Sequence, residues 1–380
     1  MILLVSVSAR MLAELATRDG HAVVALDRFG DLDLRRLCPS VSILRDLGGR
    51  GGMTELVDAA AGIPARSVVY GAGLENRPDL VARLAEGRTL LGCTPETLRH
   101  VRDPASLGAA LSEAGFAYPR TLAAADAPER AERRRRWLRK PLRGGGGRGV
   151  REWRGGRLPA GVVVQERIRG VPCSAAAVAD GSAAALLGLS EQLAGRRAMG
   201  VRGFTWCGNV APPRLPAAER HALGRAARAI CDHLAAAFGL RGLFGVDLVW
   251  DGERAWVVEV NPRPTASLEV IAAVHAARPF TTHLDACAGR LASDAAEAVG
   301  AAGKAVVWAT RDVRLPDTRD WPARGIRDVP HPGEHIAAGR PICTLLATGD
   351  DPQRVLDELE RRADALRAGL HDLEGADAVV

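Results

Sequence analysis

Two short apolar runs near the start of the chain, residues 2–7 (ILLVSV) and 22–26 (AVVAL), constrain the fold more than any other feature. Between them, Met11, Leu12, Leu15 and Ala16 recur at helical spacing, and Asp19-Gly20 marks a turn. A strand, a helix and a second strand in this order imply parallel pairing through a crossover. Ser67 to Tyr70 reads as a further buried strand running into Gly71-Ala72-Gly73, and Leu90-Leu91-Gly92 follows a polar helix. Residues 1–95 are therefore expected to form a small doubly wound α/β domain.

The chain has 380 residues, enough for about two to three domains. With 47% hydrophobic and 25% charged residues it is of ordinary globular composition, which argues against global disorder or a collagen-like repeat. No uncharged apolar run approaches the roughly 18 residues of a membrane span. The apolar N-terminus lacks a basic flank and reads as a first strand rather than a signal peptide. The seven cysteines are scattered, odd in number and form no C-x-x-C pair. Free thiols and a cytoplasmic location are expected. The net charge of +6 is mild for this length. The basic run Arg133 to Arg136 lacks interleaved aromatic residues, so it is expected on a solvated helix face and no nucleic-acid partner is inferred. Only two of the 51 basic residues are lysines, Lys140 and Lys304, and asparagine occurs only at Asn76, Asn209 and Asn261.

Residues 96–137 are rich in helical pattern. Trp137 to Pro141, Val162 to Gln165, Ser174 to Ala179, Leu243 to Trp250 and Ala255 to Val260 read as strands, the last two around a turn at Asp251-Gly252. Ala218 to Phe238 is an amphipathic helix closing at Gly239, and another helix starts near Ser267. Beyond about residue 300, strands at 306–309 and 342–347 flank a proline-rich stretch, and residues 352–369 form a final helix.

Three elements carry chemistry. Arg139-Lys140-Pro141 is followed by Gly144, Gly145, Gly146, Gly147, Arg148 and Gly149. Backbone N–H groups of such a loop can converge on phosphate oxygens, and the lysine adds a point charge. It is not a Walker A loop, because the lysine precedes the glycines and no G-K-[ST] is present. Val162-Val163-Val164-Gln165-Glu166-Arg167-Ile168 suits an adenine slot, with apolar walls and polar groups at the edge. Asp247 on one strand and Glu259-Val260-Asn261-Pro262-Arg263 ending the next offer hard oxygen donors to Mg²⁺, beside an arginine able to hold a phosphoryl group or carboxylate.

In this order the elements resemble the ATP-grasp superfamily. Further segments are similar to one branch of it, the predicted ATP-dependent carboligases that include tyramine–glutamate ligase-like proteins, linked to methanofuran- and methanopterin-type one-carbon cofactor pathways. These are Ser8-Ala9-Arg10, Asp27 to Asp33, Gly71 to Glu75 with Pro78 to Leu80, Gly188 to Gln192, Asp320 to Pro322, and Pro332-Gly333 with Gly339 to Leu345. The resemblance implies an α/β (α+β) ATP-grasp fold, with a Rossmann-like pre-ATP-grasp domain at 1–95 and an ATP-grasp domain at 96–295. The latter divides into a nucleotide lid at about 120–168 and a metal and substrate part at about 169–295, and a small C-terminal segment at 296–380 packs on the core.

It implies an ATP- and Mg²⁺-dependent carboxylate–amine ligase working through an acyl phosphate, with glutamate as one candidate substrate. ATP would be held by Lys140, Gly144, Gly145, Gly146, Gly147, Gly149 and residues Gln165, Glu166, Arg167 and Ile168. Two Mg²⁺ ions, with Mn²⁺ as an alternative, would sit on Asp247, Glu259 and Asn261, and Arg263 and Lys140 would act on the transferring phosphoryl group. Glu75, Glu191, Gln192, Thr265 and Ser267 are substrate-side candidates. The partners expected are small-molecule carboxylates and amines, with room for a homodimer and no membrane. Bicarbonate activation and a non-catalytic nucleotide-binding role are the alternatives. Two departures stand out. Asp103-Pro104, with Arg102 before it, occupies the place where many relatives carry an Asp-Lys pair, so the first phosphate-contacting lysine is absent or replaced by arginine. Cys173 stands where many carry an acidic residue after the hinge.

Overall fold

The computed structural model describes residues 1–126 and 136–377. The basic run from Arg133 to Arg135 lies outside these, and Arg136 is exposed. The N-terminal sheet is parallel, in the order Ser40–Ser42, Val23–Asp27, Ile2–Val5, Ser67–Tyr70, Thr89–Leu90. Helix Arg10–Arg18 makes the first crossover and buries Leu12, Ala13, Leu15 and Ala16. The strand order reverses on either side of Ile2–Val5, and the crevice outside the carboxyl ends of the strands at such a point is where α/β sheets hold ligands. Segments 6–10, 28–33 and 71–75 leave the sheet there.

A second, four-stranded antiparallel sheet is ordered Thr121–Ala123, Val162–Glu166, Trp137–Pro141, Arg151–Trp153. It is small because its own core is small, built on Trp137, Leu158 and Val164. The glycine loop joins Trp137–Pro141 to Arg151–Trp153.

The third sheet has eight strands: Ala255–Asn261, Arg241–Trp250, Val171–Asp180, Ala184–Ala194, Trp206–Ala211, Ala301–Trp308, Pro341–Gly349 and Ile326–Arg327. Helix Ala217–Phe238 packs Leu223, Ala227, Ile230 and Leu234 into the core beneath it and ends at left-handed Gly239, as the sequence predicts. Several short strands escape sequence reading, and so do two neighbouring strands in the middle of this sheet. Ala184–Ala194 carries Ser190 and Gln192 among apolar residues and its register slips at a bulge opposite Ala176/Ala177, which blurs the alternation. Trp206–Ala211 is short and contains Gly208. The C-terminal segment does more than pack on the core: Ala301–Trp308 and Pro341–Gly349 extend the eight-stranded sheet by hydrogen-bonded pairing. All seven cysteines are free thiols. Among the described residues no helix is long and apolar enough to cross a membrane.

Candidate active site

A cleft opens between the four-stranded sheet and the end of the eight-stranded sheet. Its walls include Val163, Leu107 and Tyr118 on the apolar side and Lys140, Gln165 and Glu259 on the polar side. Lys140 lies across from Val163 in the ladder, so its side chain enters the cleft. Its Nζ donates to Gln165 Oε1 at 2.9 Å and to the Val258 carbonyl at 3.1 Å. Gln165 in turn donates to Thr121 Oγ1 at 3.0 Å. Burial pulls the Lys140 ammonium below its ordinary range, against the opposing pull of Glu259 and Asp247. Two backbone groups of the expected adenine edge are engaged within the protein: Glu166 N–H bonds to the Arg120 carbonyl and Arg167 N–H to that of Arg136, both at 2.8 Å. Ile168 follows in the loop leaving this strand.

The glycine loop is docked rather than free. Trp206 N–H donates to the Gly146 carbonyl at 3.0 Å, Asn76 Nδ2 donates to the Gly144 carbonyl at 3.3 Å, and the Arg148 guanidinium lies 5.2 Å from the Trp308 ring centroid. Gly147 is left-handed (φ 69°), and a Cβ there would stand 1.8 Å from the Phe204 carbonyl oxygen. Gly145 and Gly146 have open space where a Cβ would stand. The loop thus presents backbone toward the cleft, the cradle that phosphate oxygens require.

Beside the cleft, a polar stripe crosses one face of the eight-stranded sheet. Cross-strand partners share a face, and the ladder pairs Glu259 with Asp247, Asp247 with Ser174, Ser174 with Ser190, Gln192 with Asn209, and Asn209 with Lys304. Asp247 accepts from Gln192 Nε2 at 2.7 Å, Asn261 Nδ2 at 3.2 Å and Ser174 Oγ at 3.3 Å. Burial and neighbouring Glu259 raise its carboxyl to about 6. Burial acts the same way on Glu259, but Arg102 and Lys140 outweigh it and hold that carboxyl below its ordinary range. The expected metal set is thereby assembled: two carboxylates and an amide, with Val260 buried in the core. Among the described residues no three His, Cys, Asp or Glu gather to hold a metal. Two carboxylates and an amide fit the sparse protein shell of Mg²⁺, which keeps its remaining positions for water and phosphate.

The other candidates separate into three groups. Arg263 pairs with buried Glu75 at 2.7 Å, and this ion pair joins the carboxyl edge of the parallel sheet to the metal strand. Burial disfavours the Glu75 charge, yet Arg263 holds its carboxyl low. Thr265 and Ser267 bond each other at 2.9 Å in the turn after Arg263. Gly245, opposite Asn261, leaves the space that the Thr265 side chain fills. Gln192 joins the stripe, but Glu191 does not. Strand alternation turns Glu191 to the opposite face, beside Val210 and Cys173, where Arg214 Nε donates to it at 3.0 Å. The same alternation buries Cys173 away from Asp247.

Arg102, the arginine that sequence reading set beside the place of the missing lysine, takes a definite position. It pairs with Glu259, donates to the Val260 carbonyl at 3.1 Å and to Asn76 Oδ1 at 2.9 Å, and faces the cleft. The scarcity of asparagine was a usable signal: Asn76, Asn209 and Asn261 all lie at this site. A second group had no sequence signal of proximity. Arg10, fully buried, forks onto Asp328 with two bonds of 3.0 Å and pairs with Glu269, which Lys304 also holds at 2.6 Å.

The fold and this cleft define a chain with an ATP-grasp domain, and residues 101–267 match the family model of that description. No curated protein sequence matches the chain. Among solved structures, it is similar to the biotin carboxylase domain of Hydrogenobacter thermophilus 2-oxoglutarate carboxylase, a dimer in complex with MgADP, ADP and bicarbonate (16% identity, TM-score 0.70, 94% of this chain and 88% of that one). It is also similar to Thermotoga maritima N5-carboxyaminoimidazole ribonucleotide synthetase (17%, TM-score 0.66, 96% and 97%). Rhizobium etli pyruvate carboxylase aligns with 95% of the chain at 17% identity and TM-score 0.72, and the chain spans 37% of that much longer protein. The chain has the ATP-grasp fold of these carboxylases and synthetases.

Proposed function

We propose that the protein is an ADP-forming carboxylate–amine ligase. The observation that carries this reading is the meeting of the glycine loop and Lys140 with the Asp247–Glu259–Asn261 set across one cleft. In this reading Lys140, Gly144 to Gly149 and Gln165 hold ATP, and the acidic set holds Mg²⁺, which neutralises the phosphate charge. Arg102 takes the part of the first phosphate-binding lysine of related chains: it needs only to exchange Glu259 for a phosphate oxygen. Glu75 orients Arg263, whose guanidinium Nε is buried without a hydrogen-bond partner and stands beside Asn261 to receive a carboxylate or the transferring phosphoryl group. The substrate carboxylate attacks the γ-phosphorus, ADP leaves, and an amine then displaces phosphate from the acyl phosphate to form an amide.

The test is ADP release over a matrix of amino acids and amines, with mass spectrometry of the products. A carboxylate- and amine-dependent adduct with loss of water is the expected outcome. ADP release that follows bicarbonate alone would instead favour a carboxylase, the activity named for the structural neighbours. ATP binding with no ADP release from any pair would favour a nucleotide-binding regulator. The gathering of Ser8, Arg10, Asp27, Asp31 and Asp33 at one edge supports the carboligase branch, whose link to one-carbon cofactors the same screen tests. A cytoplasmic, homodimeric enzyme is the state in which we would seek it.

A further inference from the structure

The carboxyl edge of the parallel sheet holds a group of carboxylates that nucleotide chemistry does not use. Asp27 ends the second strand, Asp31 immediately precedes helix Leu32–Leu37, Asp33 lies in the first turn of that helix, and Asp328 comes from the C-terminal segment. Three of the four are engaged. Asp27 accepts from the backbone of Ala9 (3.2 Å) and Gly30 (2.9 Å). Asp33 accepts from the backbone of Asp328 and Val329, both at 2.9 Å. Asp328, in a left-handed conformation (φ 50°), accepts from Arg10, Ser8 and Thr344. Asp31 is different. It is 7% exposed, and its carboxylate accepts no hydrogen bond from any described residue.

Arg10 is shared among Glu14, Asp33, Glu269 and Asp328, and Lys304 is taken by Glu269, so neither cation pairs with Asp31. A mostly buried carboxylate that accepts no bond from the protein and stands beside three others favours a cation arriving from the solvent it still touches. No three-carboxylate metal geometry is present among the described residues. An ammonium group, with three N–H donors and no need of coordination geometry, fits what is missing. The group is reachable, because the Asp328 side chain is 26% exposed. It is also offset from the metal set: Arg10, Glu269 and Lys304 stand between it and Asn209 of the polar stripe. A cation held at Asp31 is thus not the nitrogen that attacks at Arg263.

We propose that Asp31, supported by Asp27, Asp33 and Asp328, binds the positively charged end of the amine substrate, which carries a second, cationic nitrogen: a diamine or a basic amino acid. This rests on the ligase reading for the word substrate, but binding can be measured without turnover. Putrescine, cadaverine and L-lysine serve as probes, with the neutral diol of putrescine's length as control, titrated into the full chain by calorimetry and thermal shift. Saturable binding of at least one cationic probe but not the diol is expected. Asp31→Asn should weaken it at least tenfold while melting temperature and MgATP affinity stay unchanged. Asp31→Ser, smaller and uncharged, gives a second variant should the first not fold. The proposal is overturned if no cationic probe binds the wild-type protein, or if Asp31→Asn binds it equally well, in which case Asp31 is simply protonated. Binding without ADP release would keep the site and remove the ligase reading. ADP release with an amine that ignores Asp31 would do the reverse.

Discussion

In the proposed metal set, residues would act through oxygen count and charge. Glu259→Gln keeps the shape of the side chain and loses the charge, and Asn261→Ala removes an oxygen donor. Each is expected to lower Mg²⁺-dependent ADP release by about 100-fold or more. Asp251 is the control. It accepts from the backbone of Glu253 and Arg254 through one oxygen and from Trp256 Nε1 through the other; an amide keeps the two backbone bonds and loses only the exposed one to Trp256, so Asp251→Asn should leave turnover near normal. Equal losses in all three variants would dissolve the metal assignment. Glu269 provides a different test. Burial opposes its charge, but Arg10 and Lys304 outweigh burial and lower its carboxyl from 4.5 to about 2. A lowered folded-state value means stability that is present above the unfolded value and lost as pH falls through the folded one. The melting-temperature gap between wild type and Glu269→Gln should therefore be full above about pH 5 and close as pH falls toward 2. A gap independent of pH would mean that packing, not charge, holds this carboxylate.

At the scale of elements, the glycine loop makes the clearest prediction. Gly147→Ala meets both a left-handed backbone, unfavourable by about 1–2 kcal/mol for an L-residue, and the Phe204 carbonyl. Gly146→Ala meets only the first. The KM for ATP should rise about tenfold in the first variant and less in the second, with little change in melting temperature, because the loop carries little of the core. Elements such as this were legible because their chemistry is contiguous: K-P followed by glycines, and E-x-N-P-R at a strand end, declare themselves within six residues. The polar stripe was not. Ser174, Ser190, Asn209 and Lys304 are brought together only by strand register, and the strand bearing Ser190 is masked by a bulge. Alternation within E-V-N was enough to place Glu259 and Asn261 together, but the same rule was needed at Glu191-Gln192, where only Gln192 faces the site. Arg10 and Asp328 meet across 318 residues, a distance over which no periodicity speaks.

For the whole molecule, the continuity of the eight-stranded sheet joins the C-terminal segment to the half that carries the polar stripe. Ending the chain after Gly300 would strip one of its two partners from Trp206–Ala211, remove Lys304 and Asp328 from Glu269 and Arg10, and expose Cys207 and Val210, which share a core with the deleted Val307. An unpaired sheet edge above an open apolar core aggregates. The truncated chain is expected in the insoluble fraction, and recovery of a soluble, ATP-binding product would show that the segment is dispensable.

The stacking of Arg148 on Trp308 gives the loop an optical readout. A guanidinium resting on an indole face is held there by the ring quadrupole, and withdrawing it alters the polarity that the excited ring senses. If the loop holds nucleotide as proposed and opens for exchange by leaving Trp206 and Trp308, the emission of Trp308 should change in step with ADP dissociation. Subtracting the stopped-flow trace of a Trp308→Phe variant from that of wild type would isolate this signal and time the opening of the cleft without any attached dye.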